Sequence, residues 1–199
     1  MNVSQVALLQ GLAVQRKYGR GQSHADQVKK LTLQIYHELV GLGMLTKSDR
    51  DEQILDVASL LHDVGLPREP HNEVGFDLVL RYLADDMVAA PVPPDEASAL
   101  LYCILWHRGS AFVKRDEVDI VDPTLVRKIA SIVRVADALD RTLRQVVLKV
   151  TGDLRDRSLR FRVWSKQDIG TELRRAKDKA DLIKAAYNFV EVSFESAST

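Results

Sequence analysis

The amino-acid sequence predicts a mainly α fold, a helical bundle followed by a small C-terminal α+β appendage of β-β-α-β order. Three observations carry this expectation. Apolar residues recur at helical spacing, segment after segment, up to about residue 145. Beyond that point the period changes to alternation, the signature of half-buried strands. Capping and chain-breaking residues fall at the joints. The expected division is a helical domain over 1–145 and an α+β subdomain over 146–199.

Met1 to Arg20 reads as a first helix, ending in the basic run Arg16-Lys17-Tyr18-Gly19-Arg20. From residue 24 onward Val28, Leu31, Ile35 and Leu39 form a helical stripe that His24 extends, so its imidazole is expected to face inward. Ser48 and Asp51 resemble a capping box that opens a helix through Ile54, Ala58 and Leu61. Gly65 and Pro67 stop that helix just beyond His62 and Asp63. His71 falls in the next connection, ahead of a helix carrying Val74, Leu78 and Tyr82. Pro91-Val92-Pro93-Pro94 marks a rigid loop. Asp95 is placed to cap a helix through Ala97, Leu101 and Ile104 to His107, with Arg108-Gly109 as its exit. Asp122-Pro123 opens another helix, because Asp suits the N-cap and Pro the first helical position. There Val126, Ile129, Val133, Asp137 and Asp140 fall near one face, two acids on an otherwise apolar stripe.

In the tail, Val146, Leu148 and Val150 alternate with other residues, as do Leu159, Phe161 and Val163 with Arg160 and Arg162, which predicts two strands. Leu173, Ala176, Ala180, Ile183 and Tyr187 predict one amphipathic helix. Val190, Val192 and Phe194 predict a last strand, and Ala197-Ser198-Thr199 a frayed end.

Composition narrows the function. With 46% hydrophobic and 28% charged residues, the 199-residue chain has the make-up of a soluble globular protein with a sizeable core. Lys plus Arg (28) equals Asp plus Glu (28), without the basic excess of a nucleic-acid binder. The basic and aromatic alternation of Arg157 to Trp164 fits a one-face-buried strand better than a nucleic-acid platform. No run approaches the roughly 18 apolar residues of a membrane span, and Met1 to Gln5 lack the blocks of a secretory signal, so a cytoplasmic protein is expected. Cys103 stands alone, which rules out an internal disulfide and a Cys cage and leaves any metal to His, Asp and Glu.

His62 and Asp63 are adjacent at a helix end, and with His24 and Asp137 they come from three helices, on or beside inward faces. A bundle core is where such groups converge on a metal. Imidazoles with carboxylates suit Mn²⁺, Mg²⁺, Fe²⁺ or Zn²⁺ and do not choose among them. A divalent ion there lowers the pKa of bound water and neutralises a phosphoryl oxygen, so hydrolysis of a phosphate ester or anhydride is the expected chemistry. Asp140 either orients a ligand or pairs with Arg141 or Arg144. Arg108, Arg134 and Arg141 are candidate phosphate forks, Arg108 foremost because it adjoins His107, and Lys29 could reach the cleft. His37 falls off its stripe and is expected to be exposed.

The sequence His24, His62-Asp63, Asp137 resembles the pattern of the HD superfamily of metal-dependent phosphohydrolases. More narrowly, Leu60-Leu61-His62-Asp63-Val64-Gly65, His71 to Leu78, Trp106-His107-Arg108 and Arg134 to Arg141 are similar to the C-terminal HD domain of exopolyphosphatases and guanosine pentaphosphate phosphatases, over about residues 16 to 145. The resemblance implies an HD-type bundle, with His24, His62, Asp63 and Asp137 as metal ligands and Asp63, His107 and Arg108 as catalytic residues. It also makes His71 and His107 correspond to histidines that some HD enzymes use for a second metal or for substrate. The alternatives are that His71 caps the following helix and that His107 bonds a backbone carbonyl. Full-length exopolyphosphatases place their phosphohydrolase site in N-terminal actin-like domains, for which there is no room here, so a freestanding hydrolase is expected. The Gly-Tyr-Pro signature of cyclic dinucleotide phosphodiesterases is absent after the histidines. The expected partner is a small phosphorylated substrate such as a nucleotide, and the sheet edges of the tail make a homodimer plausible. Two non-enzymatic alternatives are a regulatory or adaptor module binding an anionic nucleotide signal or a partner protein, and a bundle whose metal is purely structural.

Overall fold

Five helices carry the chain from Gln22 to Ala138 in the computed structural model, which describes residues 22–84, 92–109, 115 and 118–198. They are α1 (Gln22–Gly41), α2 (Asp49–Leu61), α3 (His71–Leu83), α4 (Pro94–Trp106) and α5 (Pro123–Ala138). The tail follows as β1 (Val147–Arg155), β2 (Ser158–Ser165), α6 (Gly170–Asp178), α7 (Asp181–Ala186) and β3 (Glu191–Ser198). The fold is thus mainly α with a small C-terminal α+β appendage. The helix expected over Met1 to Arg20 lies outside the described residues, as does Pro91.

The stripes that predict the helices are the faces they bury. Val28, Leu31, Ile35 and Leu39 of α1 are fully buried, as are Ile54, Ala58 and Leu61 of α2. Ser48 caps α2, its Oγ accepting from the Asp51 N–H at 3.3 Å, and Asp122 caps α5, its Oδ1 accepting from the N–H groups of Thr124 and Leu125 at 3.0 Å. The central element is α4, whose residues from Ser98 through His107 are all buried against α2, α3 and α5. No described helix is long and apolar enough to cross a membrane.

Several expectations need correction. On α3 the fully covered line is Asn72, Gly75, Phe76 and Val79, while Val74 and Leu78 are half-buried. His71 is the first residue of α3 rather than part of a connection, with Pro70 at the N-cap. Pro93 occupies the N-cap of α4, so Asp95 lies inside the first turn and its carboxylate binds Arg50.

In the tail, β1 and β2 pair antiparallel, and β3 adds parallel to β2, giving the order β1-β2-β3. Leu159, Phe161 and Val163 are fully buried and join the same core as the bundle. Leu148, expected inside, is 39% exposed because a bulge between Val147 and Lys149 turns Val147 inward instead. The single helix expected over 173–187 is two. A tightened turn at Lys179 and Ala180, with Ala180 N–H bonded to Lys177 O at 3.2 Å, re-aims the chain so that both Leu182 and Ile183 are buried. Ala197 and Ser198 do not fray, since they pair with Trp164 and Ser165.

Polar side chains of α1 cover the outer edge of β1. Gln27 Nε2 donates to Val147 O at 2.6 Å, and the N–H groups of Val150 and Gly152 donate to Gln34 Oε1 and Glu38 Oε2 at 3.0 and 2.8 Å. These positions lie on one helical face, and they satisfy strand groups that would otherwise template further pairing. The appendage is thereby fixed to the helix that carries His24.

Candidate metal centre

The helix ends converge. His24 lies in the first turn of α1, His62 is the C-cap of α2 with Asp63 next in the turn, His71 opens α3, His107 is the C-cap of α4, and Asp137 is in the last turn of α5. His62 and His107 are oriented by the same local device. Each Nδ1–H donates at 2.7 Å to the carbonyl three residues earlier, Ser59 O and Ile104 O. His24 Nδ1 donates to Asp140 Oδ2 at 2.8 Å. With Nδ1 spent in this way, the neutral ring of each presents an Nε2 lone pair inward.

Two groups of donors result, and Asp63 faces both. His24 Nε2 lies 3.2 Å from His62 Nε2 and 3.4 Å from Asp137 Oδ1, and Asp63 Oδ2 is 3.8 and 3.6 Å from the two imidazoles. On the other side His71 Nε2 lies 3.2 Å from His107 Nε2, and Asp63 Oδ1 is 3.0 and 3.7 Å from them. Within His24, His62 and Asp137, and within Asp63, His71 and His107, the ligand atoms all lie within 4.8 Å of one another.

This donor set fits a divalent cation. Two Nε2 lone pairs 3.2 Å apart repel unless positive charge sits between or beside them. Burial alone would lower the His24 pKa, but Asp137 and Asp140, then Asp63, outweigh burial and raise it to about 9. Burial holds His62 below the ordinary imidazole range. Asp63 and Asp137 are lowered despite burial, which works to raise them, because the surrounding histidines favour their charged forms.

The centre opens into a cavity of about 70 Å³. Asp63, His71, His107 and Asp137 line it, together with Arg108, Arg141, Arg175 and Lys179. Burial, with Arg134 and Arg175 nearby, pushes the Lys179 ammonium down to about 8.

The four residues expected as ligands therefore come together, and His71 and His107 join them as part of a second group. His71 does not cap α3, and its own N–H donates to Glu69 Oε2 at 3.0 Å. His107 does bond a backbone carbonyl, but with Nδ1, which leaves Nε2 for the centre. Asp140 is fully buried and takes the orienting role, also accepting from Gln145 N and Nε2 at 2.8 and 3.1 Å. Arg108 stands at the mouth, donating to Glu69 at 2.7 and 2.9 Å beside His71 Nδ1. Arg134 is buried and structural, tied to Asp181, Trp106 O and Gly109 O. Lys29 pairs with Asp56, and the exposed His37 with Glu52.

Sequence reasoning missed Glu69, Arg175 and Lys179. The only trace of the last two is that they share a helical face with the buried Glu172 and Ala176, which nothing in the sequence connects to His62 and Asp63.

Replacing Asp140 with Asn takes away the carboxylate that holds His24. We expect metal affinity to fall by about 10–100-fold with the fold intact, as checked by competition titration against a chelating dye.

Residues 21–142, more than half of the chain, match the HD domain. No curated protein matches the chain. With the His-Asp pair at the heart of the matched segment, the chain belongs to the HD domain family, whose members are generally metal-dependent phosphohydrolases.

Proposed function

We propose that the chain hydrolyses a phosphomonoester or a nucleotide or polyphosphate phosphoanhydride at a two-ion centre, as a relative of the exopolyphosphatase C-terminal domain. The observation that carries this is the Asp63 carboxylate, each of whose oxygens faces a different pair of imidazoles. His24, His62, Asp137 and Asp63 Oδ2 would hold one ion, and Asp63 Oδ1, His71 and His107 the other. Divalent ions there, Mn²⁺, Mg²⁺, Fe²⁺ or Zn²⁺, supply water activation and neutralise phosphoryl charge.

The chain's own residues do the rest. Asp140, Ser59 O and Ile104 O fix the ring orientations of His24, His62 and His107. Arg108 presents a guanidinium beside His71, where Glu69 aligns it and where it can fork onto phosphate oxygens. The narrow cleft admits a phosphoryl group with little accompanying water. In the reaction the oxygen of water bonds to phosphorus as the bond to the leaving oxygen breaks. The departing group leaves as an alcohol or a phosphate, and the remaining proton passes to solvent.

The test is phosphate release from a panel of phosphomonoesters, nucleotides and polyphosphate by protein purified without chelator, with added Mn²⁺. Turnover that disappears with chelator is the expected result. A metal-loaded protein inert on the whole panel contradicts the reading and leaves a regulatory or adaptor module.

A further inference from the structure

Helix α6 and its C-cap Lys179 lie outside the segment that matches the HD domain, yet Arg175 and Lys179 are two of the four cations around the cleft among the described residues. Both ends of the helix are pinned to the metal-holding bundle. Near its start the buried Glu172 accepts from Thr142, through its N–H at 3.2 Å and its hydroxyl, directly after Arg141. Just past its end Asp181 takes Arg134 at 2.9 and 3.1 Å, and the same guanidinium holds Trp106 O and Gly109 O at 2.8 and 3.1 Å, on either side of His107 and Arg108. Arg175, one turn after Glu172, and Lys179, at the C-cap between the two anchors, both line the cleft.

Asp63, His71, His107 and Arg108 line one cleft with Arg175 and Lys179, and the reacting phosphoryl group would sit beside the first four. That group is served by the ions and by Arg108. The Arg175 ion pair with the exposed Asp178, at 3.5 Å, is a surface contact of little strength that an incoming anion can displace. Two further cations on the same cleft call for further negative charge on the substrate.

We infer that Arg175 and Lys179 bind a second phosphate of the substrate, which makes the preferred substrate a phosphoanhydride or another bis-phosphorylated anion rather than a lone phosphomonoester. The inference deepens the hydrolase reading and rests on it for the position of the reacting phosphoryl group.

Calorimetry on protein loaded with Mn²⁺ and freed of excess tests it, comparing inorganic phosphate with imidodiphosphate, whose P–N–P bridge resists hydrolysis. The wild type is expected to favour imidodiphosphate by about tenfold or more, the size of one charge-assisted hydrogen bond. In Arg175→Gln/Lys179→Gln the preference should shrink to within about threefold, while Arg175→Lys/Lys179→Arg keeps most of it. Unchanged Mn²⁺ content shows that each variant is folded at the centre. A preference that survives in the Gln variant, or is absent from the wild type, overturns the assignment. A preference of the expected kind in a protein that turns nothing over supports the assignment and overturns the hydrolase reading instead.

Discussion

Replacing Asp63 with alanine should empty both ligand groups at once and lower kcat/KM by at least about 100-fold, the upper end of what losing only a ligand's hydrogen-bond partner costs. The reason is geometric. Asp137 stands beside His24 and His62, and His71 stands beside His107, whereas the Asp63 carboxylate turns one oxygen to each of these pairs of imidazoles. Asp137→Ala should therefore retain metal at the His71 and His107 side, and Asp63→Ala should retain it at neither. Elemental analysis of the purified variants, alongside phosphate release with Mn²⁺, separates the two cases. Wild-type metal content in Asp63→Ala would show that the carboxylate is not shared.

Gly65→Ala should be nearly as damaging, through the backbone. A Cβ on residue 65 would lie 2.0 Å from His71 O, 2.6 Å from Gly75 N and 2.9 Å from His71 C. These are main-chain atoms at the start of α3 and cannot rotate away. The turn after Asp63 and the first turn of α3 are in direct backbone contact, and this contact brings His71 Nε2 to 3.0 Å from Asp63. An alanine must push α3 outward. The cost should exceed the usual overpacking range of about 1–3 kcal/mol, which for a chain of this size is a fall in Tm of about 10 °C. Metal at the His71 and His107 side should be lost before metal at the other. Thermal unfolding with and without Mn²⁺ checks both points, and a Tm within a couple of degrees of wild type would show that the close approach is not rigid.

Gly65 also shows where sequence reasoning stops. Its type and position mark the end of α2, but the element across the contact is invisible from local pattern. What was legible depended on one element at a time. Apolar spacing located α1, α2, α4 and α5, and hydroxyl and carboxylate caps located Ser48 and Asp122. Inward-facing polar residues on those stripes pointed to His24 and Asp137, and adjacency at a helix end pointed to His62 and Asp63. What was not legible depended on relations between elements. The start of α3 was obscured because Pro70, a residue without a capping side chain, precedes it. The break between α6 and α7 left the apolar spacing from Leu173 to Tyr187 intact, because it answers to the burial of Leu182 and to the Arg134–Asp181 pair. The bulge at Val147 and the parallel addition of β3 are likewise settled by partners remote in the chain. Arg175 and Lys179 differ from neighbouring basic residues only in the face they occupy after docking.

In the proposed hydrolase, imidazoles and carboxylates from α1 to α5 assemble one centre for two ions about a shared carboxylate. Anomalous scattering from crystals grown with excess Mn²⁺ tests it most directly. Two peaks should flank Asp63, one beside His24, His62 and Asp137 and the other beside His71 and His107. Saturating Mn²⁺ with no peak among these side chains, or ions bound only elsewhere on the chain, would contradict it.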